Sequence, residues 1–137
     1  MSLLNKAYNN NLNFVIALDG PAASGKGHIG HLLAEEFALT YVPSGSVYRG
    51  LAYICLQENI AVVDEKAIIE LSQNADIISR TKDVDLNIEI IGEFASKLSI
   101  LPVVRQNLGI YLKRLIQTTP RIIMEGRDIG TIVAPNA

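Results

Sequence analysis
The chain has 137 residues, 49% of them hydrophobic, with 12 Lys and Arg against 14 Asp and Glu for a formal charge of −2. That size and apolar fraction suit one compact domain with a real core, and the slight acidic excess argues against a nucleic-acid groove, which normally carries a basic surplus. The single cysteine, Cys55, excludes an internal disulfide, and no apolar stretch approaches membrane-spanning length.

Residues 1–12 are short, Asn-rich and without a signal-peptide hydrophobic region, so they read as a flexible leader on a cytoplasmic protein. A strand is expected over 13–19, because Phe14 to Leu18 is an unbroken apolar run of the kind found in strands buried on both faces. It stops at Gly20-Pro21-Ala22-Ala23-Ser24-Gly25-Lys26-Gly27-His28. Gly20, Gly25 and Lys26 match the G-x-x-x-x-G-K skeleton of a P-loop in its strand–loop–helix context. Small residues let backbone N–H groups turn toward phosphate oxygens. The helix that follows points its unpaired N–H groups the same way, and Lys26 adds a mobile positive charge. An ordinary Gly-rich turn is the plainer alternative.

The helix, expected over 25–38, carries Ile29, Leu32, Leu33 and Phe37 at helical spacing, with Glu35 and Glu36 outward. The Ser or Thr that usually follows the P-loop Lys and meets Mg²⁺ is missing: Gly27 and His28 stand there. Mg²⁺ would then be held by phosphates, water and a carboxylate. His28 and His31 read as surface imidazoles. A strand is expected at 39–42 and a helix at 46–57, with Cys55 a buried, inert thiol. Asp64 caps a helix at 65–74, residues 75–86 read as loop, and a helix is expected from about 88 to 100. Pro102 suits the first turn of a helix ending near Thr118. A strand at 121–124 closes with Glu125-Gly126, and the β-branched run from Ile129 to Val133 is a last extended segment.

Strands alternating with helices imply an α/β fold with a parallel sheet flanked by helices. Ligands then collect at the carboxyl ends of the strands, where Asp19, Ser44 and Glu125 all fall. The run Ser44-Gly45-Ser46-Val47-Tyr48-Arg49 offers hydroxyls, a phenol and a guanidinium, suited to a phosphate-bearing ring compound; a helix N-cap at Ser44 or Ser46 with Tyr48 in the core reads equally well. In Glu125-Gly126-Arg127-Asp128 the carboxylate suits Mg²⁺, Arg127 suits a bidentate grip on phosphate, and Asp128 can accept from a base amine or sugar hydroxyl. Solvated turn charges are the alternative.

Taken with Ala95-Ser96-Lys97-Leu98, Pro102-Val103-Val104-Arg105 and Gly126-Arg127-Asp128-Ile129-Gly130-Thr131, these motifs make the chain resemble the cytidylate kinase family from about Phe14 to Ala137. The resemblance implies a P-loop nucleoside monophosphate kinase that transfers the ATP γ-phosphate to CMP or dCMP, with ATP as co-substrate and Mg²⁺. It implies that residues 20–28 wrap the ATP phosphates, with Lys26 and Arg127 catalytic. Ser44, Tyr48, Arg49, Ser96, Arg105, Arg127 and Asp128 would line the CMP site, and Glu125 would serve the metal, directly or through water. Glu125 stands where the family more often has Asp. The family's chains also run on past this one, to further strands, a lid with arginines and adenine contacts.

Residues 13–137 are therefore expected to be an incomplete kinase core, with a helical acceptor-binding lobe at about 44–118. This chain is expected to have little activity alone and to associate through a bare sheet edge, whereas the intact enzyme is expected to be a monomer without nucleic-acid or membrane partners. Another small P-loop kinase, or a non-catalytic nucleotide-binding fragment, are the alternatives.

Overall fold
The computed structural model describes residues 14–19 and 26–126. Three strands and six helices follow in chain order: β1 (Phe14–Asp19), α1 (Lys26–Phe37), β2 (Thr40–Pro43), α2 (Ser46–Gln57), α3 (Glu65–Asn74), α4 (Ile77–Arg80), α5 (Glu89–Leu98), α6 (Pro102–Thr118) and β3 (Arg121–Gly126). The three strands form one parallel sheet in the order β1-β3-β2. The α/β class is as expected. No helix among the described residues is long and apolar enough to cross a membrane.

The chain divides into two compact units. The first joins the residues up to Ser44 with those from Leu112 on, and so contains the sheet and α1; the second is Gly45–Tyr111. In the sheet unit, Ile122, Ile123 and Met124 of β3 are fully buried, as a central strand requires, and Leu39, Val42 and Leu112 complete the core. β1 is different: Phe14 to Leu18 are only half-buried. The expectation that β1 is buried on both faces is not met; β3, paired on both sides, is the strand with a buried centre.

Register fixes one face of the sheet. Ile16 pairs with Ile123, Leu18 with Glu125 and Tyr41 with Ile123, so alternation puts Leu18, Tyr41, Arg121 and Glu125 on the same side. That side meets α1. A Cβ on Gly30 would lie 2.5 Å from the Tyr41 ring and 3.5 Å from Leu18, so glycine is what lets the helix settle here. His31 stacks on Tyr41 with ring centroids 4.0 Å apart. At the far end of the helix, Arg121 Nη2 donates to the Phe37 carbonyl at 2.6 Å, a cation on the negative end of the helix dipole. Ala38, at a φ of 54°, turns the chain out of α1, and the Leu39 N–H returns to the Ala34 carbonyl at 2.9 Å. Ile29 and Leu32, at helical spacing with the buried positions, are instead 48% and 53% exposed.

In the helical unit α2 is central and packs against α3, α4 and α5. Its Val47, Leu51, Ile54 and Cys55 are buried, as are Ile68, Ile77, Ile91, Leu98, Val104 and Leu108 from the other helices. Polar ties lock these helices together. Asn107 donates to Ser72 Oγ at 2.9 Å, while the Tyr111 hydroxyl accepts from the Ile78 N–H and donates to Asp76, both at 2.9 Å. The second of these explains α4, which falls inside the stretch expected to be loop. An amide at a helix start lacks an intrahelical partner, and a tyrosine 33 residues away supplies one.

Candidate functional site
The carboxyl ends of the three strands lie side by side. Asp19 pairs with Gly126, Leu18 and Pro43 flank Glu125, and the Ser44 N–H donates to the Glu125 carbonyl at 2.8 Å. β3 was expected to close at Met124; pairing on both sides carries it through Gly126, so Glu125 is a strand residue. The sheet orders its main chain, and its side chain points to the α1 face. Burial first, then hydrogen bonding and charge from Glu125, push the Tyr41 phenol well above its ordinary pKa. Glu125 Oε2 is buried with no hydrogen-bond partner. A buried carboxylate oxygen left unpaired is costly, and the natural partner for one is a cation or a water bound to a cation.

The P-loop glycines have the strand-to-helix setting that gives them meaning: β1 ends at Asp19 and α1 begins at Lys26. Gly20, Pro21, Ala22, Ala23, Ser24 and Gly25 themselves lie outside the described residues, as do Arg127, Asp128 and the segment 129–133. The backbones of Lys26 and Gly27 form the first positions of α1, and His28 follows, exposed like His31. Among the described residues no group of three or more His, Cys, Asp or Glu could hold a metal ion by itself.

The helical unit holds Tyr48, Arg49, Ser96 and Arg105. Gly45 is the N-cap of α2, so neither Ser44 nor Ser46 occupies the cap position. Tyr48 and Arg49 occupy the first turn of α2, both half-buried. Arg105, exposed on α6, meets the Tyr48 hydroxyl; burial raises the phenol's pKa, and the guanidinium's charge and hydrogen bonding offset this only in part. Arg49 Nη1 donates to the Leu86 carbonyl at 2.9 Å, and the guanidinium rests on α5 at Gly92. Ser96 lies four residues beyond Gly92, hence on the same face of α5, and is exposed. Four cationic or polar side chains of the helical unit thus lie at the start of α2, against it, or on one face of α5. Tyr41, Leu86 and Gly92 escaped the sequence reading: a strand tyrosine, a loop carbonyl and a helix glycine carry no signal apart from their neighbours. Cys55 is buried, and burial above all raises its thiol to about 11, which makes it inert.

A parallel sheet whose first strand leads through G-x-x-x-x-G-K into a helix defines a P-loop, kinase-like α/β protein. The cytidylate kinase family model matches residues 16–137. Curated relatives named cytidylate kinase agree: one from Rickettsia bellii is 55% identical over 99% of this chain, and those from Rickettsia typhi and Rickettsia canadensis are 51% and 50% identical over all of it. The chain belongs to the cytidylate kinase family. It covers 61% or 62% of the length of these three relatives.

Proposed function
We propose that this chain carries the phosphate-donor loop and most of the acceptor pocket of a kinase that transfers the ATP γ-phosphate to CMP or dCMP. The observation that carries the reading is the pairing of a P-loop sequence between β1 and α1 with two arginines, Arg49 and Arg105, at the start of α2 and on α6 of a family member. Main-chain amides of residues 20–28 would hold the polyphosphate, with Lys26 on its outer oxygens. Arg49, Arg105 and Arg127 would neutralise the acceptor monophosphate, Tyr48 and Ser44 would border it, and Ser96 and Asp128 would read the cytosine or sugar.

The residues fit a magnesium ion: the orphaned, buried Oε2 of Glu125 would hold it through water, because no hydroxyl follows Lys26. When bound, the ion offsets charge on the outer phosphates. The protein's own share of catalysis is position and charge. Lys26 and Arg127 would stabilise the negative charge that spreads over the transferred group while an acceptor oxygen attacks in line.

Since the chain spans about three fifths of its relatives' length, it is proposed to bind both nucleotides with little turnover by itself. Calorimetric titration of the mass-verified 137-residue chain with CMP, dCMP, UMP and ATP, beside a CDP-formation assay, tests this. CMP or dCMP binding without turnover is the expected result, and Arg127→Ala should weaken CMP binding more than ATP binding. Absence of any CMP or dCMP binding would dismiss the acceptor assignment, and full-rate CDP formation would dismiss the dependence on a longer chain.

A further inference from the structure
The geometry points to Leu86 and Gly92 as positioning residues that hold the Arg49 guanidinium as a preset fork for a phosphate monoester. The inference rests on the reading of Arg49 as an acceptor-phosphate ligand and adds what aims it.

Arg49 leaves the first turn of α2 half-buried, and its Nη1 is fixed by the Leu86 carbonyl at 2.9 Å. That carbonyl belongs to an irregular segment before α5, braced by the Asn87 N–H on Asp85 Oδ1 at 2.9 Å. The guanidinium also has a floor. A Cβ at position 92 would lie 3.1 Å from Nη2, 3.3 Å from Nη1 and 3.4 Å from Cζ. The two Nη atoms are nearer than Cζ, so the guanidinium leans its Nη edge over the bare backbone of Gly92, and a methyl there would push it away by a few tenths of an ångström. One of the five donors is used by Leu86. A long arginine normally loses much rotamer freedom on binding. Here the carbonyl and the bare helix backbone remove that freedom beforehand, which is how preorganisation raises affinity.

The same residue makes opposite predictions for folding and for binding. Gly92 sits inside a helix, where alanine is the better helix former, so Gly92→Ala should melt at the same temperature as wild type or about 2–4 °C higher. Yet the added methyl lifts the guanidinium, and CMP affinity should fall roughly tenfold while ATP affinity stays. The decisive test is a cycle in the 137-residue chain: wild type, Gly92→Ala, Arg49→Ala and the double variant, each titrated with CMP by calorimetry. Once Arg49 is gone, Gly92→Ala should make no further difference. Unchanged CMP affinity in Gly92→Ala, or an equal loss with and without Arg49, would overturn the inference while leaving the proposed function standing. Failure of the wild-type chain to bind CMP would overturn the proposed function, and this inference with it.

Discussion

Tyr41 and Glu125 meet on the sheet face that α1 covers, and their chemistry is uneven. One phenol is held neutral by burial and by the neighbouring carboxylate, while one carboxylate oxygen has no partner. Removing the charge at 125 should therefore act on the cation and not on the acceptor. Glu125→Gln is expected to raise several-fold the Mg²⁺ concentration needed for half-maximal ATP binding and to leave CMP binding unmoved; Mg²⁺ titrations at fixed ATP measure both. A second residue-scale outcome concerns alkali. Burial raises the Cys55 thiol to about 11 from 9.0 and, as the largest of several causes, the Tyr111 phenol to about 12 from 10.0. In each case the fold favours the protonated form. The associated stability is thus fully present below the unfolded pKa and is lost as pH climbs toward the folded one. Between those two values the cysteine lowers stability as pH rises, by at most about 1.4 kcal/mol per pH unit. Urea midpoints taken from pH 8 to 10.5 should fall, and fall less steeply in Cys55→Ala.

At the scale of the element, helix ends were the most legible part of the sequence. Asp64 accepts from the Ala67 N–H at 3.2 Å and starts α3 at the residue expected. Asp64→Ala should cost about 1 kcal/mol, with Asp64→Ser recovering most of it, by urea denaturation. The end of α2 reads as clearly in hindsight: Asn59 at a φ of 55° lets Ile60 N–H reach the Cys55 carbonyl at 2.8 Å and Asn59 N–H the Leu56 carbonyl at 3.3 Å, an Asn-terminated Schellman turn. Local signals failed where the cause was remote. α4 depends on the Tyr111 hydroxyl, and the extra length of β3 depends on ladders from both neighbours. The exposure of Ile29 and Leu32 breaks the helical pattern for the same reason, since periodicity tells which residues share a face and not whether anything covers it. The G-x-x-x-x-G-K skeleton and the Ser44–Arg49 run stand out in the sequence because their glycines and polar groups are local and at fixed spacing. What aims Arg49 does not, being a carbonyl 37 positions away.

For the whole molecule, the prediction concerns the sheet edge. β1 is half-buried, apolar and paired on one side only among the described residues, and such an edge invites another strand. Sedimentation velocity should show a weight-average mass that grows with concentration; a mass fixed at one chain from micromolar to millimolar would argue that the edge is covered.

The order β1-β3-β2 also has a temporal meaning. The strand in the middle is the last of the three to be synthesised, and among the described residues each flanking strand bonds to it alone. While a ribosome is still short of Arg121, Phe14–Asp19 and Thr40–Pro43 have no ladder to join, whereas Gly45–Tyr111 can already fold from contacts near in sequence. Nascent chains stalled before and after Gly126 should therefore differ abruptly in protease resistance at their amino-terminal ends. The strand that leads into the G-x-x-x-x-G-K sequence would thus wait until Arg121–Gly126 is made before it has a ladder.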